Sequence, residues 1–318
     1  MKKRLVIFTL AICVLVLCSC GTEVSKEGPS DENKALSKAF EILSRVNSFE
    51  YVVHTQEETQ FGNKIVVSNS KTDRKEIKEP LVIWGKYINE VIRTGGEHSR
   101  IISETYQRAD HKKFEFYMRF GSTENNAEQE PQLSDWQETI DTNKEQIEMT
   151  LEFAKGRREA ELYLLSSNME SFRFVEETET VASNTLRYDG SIDPSTAIEA
   201  YKTYLRDYYV QFNMVRELKD PSLDDLKKEI TSGDVAELQS GIPQYAYAEE
   251  SVPISIWISK DTFELKKVVI DKTAMMQIYF AQELPKVNPG SVAPVVLKYI
   301  DTYDIKGIDT LKEIKKPE

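Results

Sequence analysis

The chain has 318 residues, with 53 acidic against 41 basic side chains and a formal net charge of −12. That balance argues against nucleic acid and anionic lipid surfaces as direct partners. All three cysteines, Cys13, Cys18 and Cys20, fall within the first twenty residues, so stability must come from core burial without a disulfide framework.

The N-terminus opens with Lys2, Lys3 and Arg4, followed by an almost unbroken apolar run from Leu5 to Leu17. A basic cluster and a short apolar run are the pattern of a secretory signal. The run is too short to span a bilayer, which needs roughly 20 apolar residues. Leu17-Cys18-Ser19-Cys20 then resembles a lipobox, in which the final thiol is diacylated and the chain is cut just before it. The resemblance implies a signal peptide over 1–19, a diacylglyceryl group on Cys20, and a palmitate-bearing lipoprotein on the extracytoplasmic face of the cell membrane. Removing 1–19 takes away three positive charges and no negative ones, which leaves −15. Two acyl chains hold a protein at a membrane without a polybasic patch.

Residues 20–33 are polar, contain Gly28 and Pro29, and read as the lipidated cysteine and its flexible tether. Ser30, Asp31 and Glu32 then supply a cap for a helix of about 33–47, along which Leu36, Ala39, Phe40, Leu43 and Val46 recur at helical spacing. From Phe49 the character changes. Residues 49–60, 63–72, 81–93, 98–109 and 113–120 are rich in β-branched and aromatic residues, and turn signals separate them. In the last of these Phe114, Phe116, Met118 and Phe120 alternate with Glu115, Tyr117 and Arg119, which predicts one apolar and one mostly polar face.

Residues 121–134 read as a polar loop, and 135–168 contain helix-forming stretches with Ile147, Leu151 and Ala154 on one side. Strand character returns over 172–190. Asp193-Pro194 opens a helix carrying Ala197, Tyr201, Tyr204, Leu205, Tyr208 and Phe212 as an aromatic stripe, and a short helical segment follows near 223–230. From Val252 the chain again reads as strands: 252–260, 263–271, 273–282 and 295–304. Consecutive strands with no helix between them predict an antiparallel sheet and a single α+β domain over 34–318, with a helical insert near 121–170.

The helix after the tether closes on Val46-Asn47-Ser48-Phe49 and leads into Tyr51-Val52-Val53. Late in the chain Val252 to Lys260 forms a tryptophan-bearing strand that returns as Leu265 to Asp271, and Tyr303-Asp304-Ile305 follows. These features resemble the DUF6612-type lipoproteins of Gram-positive bacteria and the LolA/LppX-like superfamily. The resemblance implies a curved antiparallel sheet, a half-barrel with helices on its concave face, and a space between them that holds lipid in characterised relatives.

No catalytic motif appears: there is no Gly-x-Ser-x-Gly, Walker loop or Gly-x-Gly-x-x-Gly fingerprint, and no cofactor is implied. The histidines His54, His98 and His111 lack metal-ligand spacing, and strand alternation sends His54 and Glu57 to opposite faces. Acidic pairs such as Glu176-Glu177, Asp224-Asp225 and Glu249-Glu250 read as solvated surface. The aromatic stripe serves either core packing or a cavity lined by Tyr201, Tyr204, Tyr208 and Phe212, with Trp84 and Trp257 contributing from the sheet. Two readings of function follow. One is a non-catalytic, lipid-anchored binding protein that holds a lipid or other apolar ligand between sheet and helices. The other is a packed surface protein that engages another cell-envelope protein.

Overall fold

The computed structural model describes residues 31–124, 129–175, 184–197, 199–200, 245, 247–287 and 292–317. The first helix, α1 (Asp31–Arg45), buries Leu36, Ala39, Phe40 and the following Val46, the stripe expected from the sequence. Five long strands then form a meander: β1 (Ser48–Phe61), β2 (Lys64–Ile77), β3 (Leu81–Arg93), β4 (His98–Ala109) and β5 (Phe114–Glu124). A short edge strand, β6 (Gln137–Asp141), precedes the long helix α2 (Lys144–Ser167). The chain returns through β7 (Arg173–Val175), β8 (Thr185–Ile192), β9 (Val252–Ser259) and β10 (Leu265–Asp271), crosses helix α3 (Thr273–Val287), and finishes in β11 (Val295–Ile308).

Among the described residues all eleven strands belong to one antiparallel sheet in the order β6-β5-β4-β3-β2-β1-β11-β10-β9-β8-β7, and its two edges do not pair with each other. The first and last strands are neighbours at its centre, where Val53 pairs with Tyr303 and Thr55 with Asp301. Register shifts at Glu50/Tyr51 and Glu58/Thr59 interrupt that central ladder, and such bulges bend a strand and increase its twist. The segment 121–170 therefore supplies the end of β5, the edge strand β6 and α2 to the same sheet-and-helix unit.

The stretch 273–282, predicted as a strand, is helix α3. An apolar run of this length does not reveal its own period. Its start does: the Asp271 carboxylate accepts the Thr273 backbone N–H at 3.0 Å, and Met276 N–H donates to Lys272 O at 2.8 Å. Ala274, Met275, Met276 and Gln277 are unbranched helix formers, and both methionines are buried.

The two faces of the sheet are covered differently. The larger core lies between α1, α2 and the inward residues of β8 to β11, and includes Tyr188, Ile254, Ile256, Ile258 and Val268. On the opposite face Ile77, Val82, Tyr106 and Tyr117 pack beneath Leu311 and Ile314 of the C-terminal tail and Trp136 of the segment before β6. That segment crosses the sheet directly over Gly121, where an added Cβ would collide with the Gln132 carbonyl.

This second cover reverses the burial expected for β5. Glu115 and Tyr117 are 2% and 5% exposed because the tail and the 129–136 segment lie over them. Phe120, on the side read as apolar, is 50% exposed. Alternation in the sequence gave the correct parity, but what covers each side came from remote chain.

Candidate functional site

Between α1, α2 and the sheet lies a cavity of about 300 Å³. Its roof is the end of α1 and the C-terminal turns of α2: Leu43, the following Val46, Leu162, Leu164 and Leu165. Its floor is the helix-facing set of residues from six adjacent strands, including Phe49 and Tyr51 of β1, Tyr303 and Ile305 of β11, Val268 and Ile270 of β10, Ile254 of β9 and Ile192 of β8. Register explains this set, since directly paired residues project from the same face: Tyr51 pairs with Ile305, Val268 with Tyr303, and Ile254 with Ile270. Six strands are five steps of about 4.8 Å, so the floor reaches roughly 24 Å across the sheet.

Polar groups gather at two places on this lining. Near the end of α1, Asn47, Glu76, Lys78, Arg158 and Glu161 form a rim. Arg158 donates to Glu76 at 3.1 Å, and Arg74 reaches the other oxygen of the same carboxylate at 3.3 Å. The Lys78 backbone N–H donates to Asn47 O at 2.8 Å, which fixes that residue against the chain leaving α1. Burial, and then the Arg158 guanidinium, push the Lys78 ammonium below its ordinary value, against the pull of Glu76 and Asp309. Lys78 forms no ion pair among the described residues.

Deeper in, Lys272 and Asp301 form an ion pair at 2.8 Å. The second Asp301 oxygen accepts the Thr55 hydroxyl at 2.7 Å. Burial opposes the Lys272 charge, but Tyr303, the bonded Asp301 and Tyr299 outweigh it, so the ammonium is held above its ordinary value. Lys272 also lies 5.8 Å from the Tyr245 ring. Burial, then the Asp301 charge, raises the Tyr245 phenol, and Tyr303 is likewise raised mainly by burial. Burial and Asp301 push Tyr299 up to about 12. All three phenols therefore stay protonated at neutral pH, and the two that line the cavity, Tyr245 and Tyr303, are neutral O–H groups beside that space. Burial also raises the Glu57 carboxyl, which stands on this face through its pairing with Tyr299.

Trp84 and Trp257 are not part of this cavity. Trp84 pairs with Lys75 and Tyr106 and belongs to the face under the C-terminal tail. Trp257 lies between the inward Ile256 and Ile258, so alternation points it the other way, where Arg187 and Lys267 both sit 5.1 Å from its ring. His54 and Glu57 do face opposite sides, and His54 lies 3.9 Å from Asp304. The Asp193 cap forms as read: its carboxylate accepts Thr196 N–H at 3.0 Å. Cys20, Tyr201, Tyr204, Tyr208 and Phe212 lie outside the described residues, as do Glu176-Glu177, Asp224-Asp225 and the 223–230 segment.

Sequence reasoning did not find Lys78, Arg158, Lys272, Asp301, Tyr245 or Tyr303 as neighbours of one space. They come from chain positions up to 225 residues apart, Lys78 to Tyr303, and only strand order and register bring them together. Among the described residues no helix is long and apolar enough to cross a membrane, and no group of His, Cys, Asp and Glu is arranged to hold a metal ion.

No family model matches the chain, including the DUF6612-type family of the resemblance, and no curated protein matches it. Among solved structures it is similar to LprF from Mycobacterium bovis, with a TM-score of 0.38 and 10% identity over 91% of this chain and 98% of that one. A beta-barrel-like protein of the domain of unknown function DUF1849 from Brucella abortus gives a TM-score of 0.22 and 7% identity, covering 83% of this chain and 98% of the other.

Proposed function

We propose that this is a non-catalytic, lipid-anchored binding protein on the extracytoplasmic face of the membrane, and that it holds an apolar chain in the cavity between α1, α2 and the sheet. The cavity carries the reading: about 300 Å³ bounded mainly by Leu, Ile and Val side chains, a size within the range that takes small ligands. Its apolar walls favour a hydrocarbon occupant, each buried methylene contributing about 0.8 kcal/mol. The lipobox-like run ending at Cys20 supports the anchor, and the protein would sit where free amphiphiles and membrane lipids are at hand. The alternative, a solid core whose outer surface engages an envelope protein, has no use for this space.

Organic extraction of protein purified from its native membrane, followed by mass spectrometry, tests the reading. Specific acyl-containing species at a fixed stoichiometry are expected, and fewer of them when the cavity is filled by a larger side chain. Protein that yields none, and takes up none when offered, contradicts it. The anchor is tested separately by labelled palmitate, which should enter the wild type and not Cys20→Ser.

A further inference from the structure

We infer that the occupant is a single-chain amphiphile with an anionic head, a carboxylate or a phosphate, and that Lys78 beside Arg158 receives that head. This rests on the apolar-ligand reading above and specifies the ligand class.

Three observations lead there. First, the space is long but small: its floor crosses six strands while its volume is only about 300 Å³, at the low end for ligand pockets. One acyl chain matches such a space, whereas a diacyl lipid would leave most of its bulk outside it.

Second, the cations on its lining differ in how they are compensated. Lys272 is paired with Asp301 at 2.8 Å. Arg158 is paired with Glu76. Lys78 alone of the three has no ion-pair partner among the described residues, although it is partly buried. A partly buried charge without a partner is costly, and an opposite charge brought by a ligand removes that cost.

Third, the carboxylates that attract Lys78 are engaged by other groups: Asp309 accepts the backbone N–H groups of Asn47 and Ser48 at 2.7 and 2.9 Å and forms no ion pair with Lys78. Glu76 already accepts from both Arg74 and Arg158, two guanidiniums on one carboxylate, while Glu161 is exposed. An anionic head seated at Lys78 leaves its chain pointing along the apolar floor past Ile305 and Val268.

The test uses the full-length protein reconstituted in nanodiscs and labelled with a photoreactive analogue of lauric acid. Labelling is competed with laurate, dodecyl phosphate, methyl laurate and dodecanol. In the wild type both anions should compete about tenfold better than the neutral molecules, the increment expected of a charge-assisted contact. Lys78→Gln should erase that preference while leaving competition by dodecanol unchanged, and Lys78→Arg should keep it. The stronger of laurate and dodecyl phosphate then identifies the head as carboxylate or phosphate. Equal competition by laurate and methyl laurate in the wild type overturns the inference and leaves the apolar-ligand reading standing, as does an unchanged preference in a folded Lys78→Gln. If the probe labels no cavity peptide and dodecanol never competes, the apolar-ligand reading fails as well. The wild-type comparison of acid with ester decides the matter even where a variant does not fold.

Discussion

Lys272 and Asp301 face each other at 2.8 Å with each side chain only 8% exposed, one just ahead of α3 and the other in the middle of β11. The pair joins the start of a helix to the central strand of the sheet, and Thr55 of β1 holds the second carboxylate oxygen. Removing one partner would leave the other charge buried and alone. Asp301→Ala should therefore cost about 3–5 kcal/mol in denaturant unfolding, whereas Lys272→Met combined with Asp301→Leu should cost much less. Equal losses in the single and double variants would show that the ion pair is not what matters at this position.

On the opposite face Glu104 is nearly buried and receives Arg119 through Nε at 2.9 Å and Nη2 at 2.5 Å, with Lys86 at 3.0 Å. Burial works to raise its carboxyl, but the bonds from Arg119 and Lys86 prevail and hold it below the ordinary glutamate value of 4.5. A depressed carboxyl binds its proton less tightly in the folded state. Its contribution is thus complete above the ordinary value and is lost as pH falls through the depressed one. Glu104→Gln should cost about 1–3 kcal/mol at pH 7 and flatten the acid limb of a stability-against-pH curve. Parallel acid limbs in the two proteins would contradict this.

The C-terminal tail is a structural cover. Leu311 and Ile314 pack on Ile77, Val82, Tyr106 and Tyr117, Leu311 N–H donates to the Ser48 hydroxyl at 3.1 Å, and Lys316 reaches Glu115 at 3.3 Å. Asp309 pins its start by accepting the backbone N–H groups of Asn47 and Ser48 at 2.7 and 2.9 Å. Both apolar side chains are half-buried, so Leu311→Ala and Ile314→Ala should each cost about 1–2 kcal/mol. Hydrogen exchange should rise in β4 and β5 first. Unchanged protection there would mean that the tail merely rests on the sheet.

Much of the fold was legible in the sequence. The bounds 81–93 and 98–109 coincide with β3 and β4, because alternation ran unbroken between clear turn signals. The α1 stripe was legible for the same reason at helical period. The α3 stretch was not, since Met-Met-Gln-Ile-Tyr-Phe carries apolar residues without a period that distinguishes strand from helix. Of the site, the space between sheet and helices was expected, but Trp84 and Trp257 were assigned to it and lie on the other face. Alternation through Ile254, Ile256 and Ile258 already placed Trp257 on the other side, so that error was avoidable. Trp84 was different: its face follows from pairing with Lys75 and Tyr106, which no local pattern shows. Nor does anything local reveal that Lys78 and Arg158, eighty residues apart, share a rim.

The central claim is that an apolar chain enters the space under α1 and α2. Calorimetric titration of the full chain with dodecanol, at several temperatures, measures it most directly in the wild type and in Leu165→Trp, which narrows the roof. The wild type should bind at a one-to-one ratio with a negative heat-capacity change, the mark of apolar burial, and Leu165→Trp should weaken binding by about tenfold or more as the space fills. A wild type that takes up no chain, or a folded Leu165→Trp that binds as tightly as the wild type, would contradict the account.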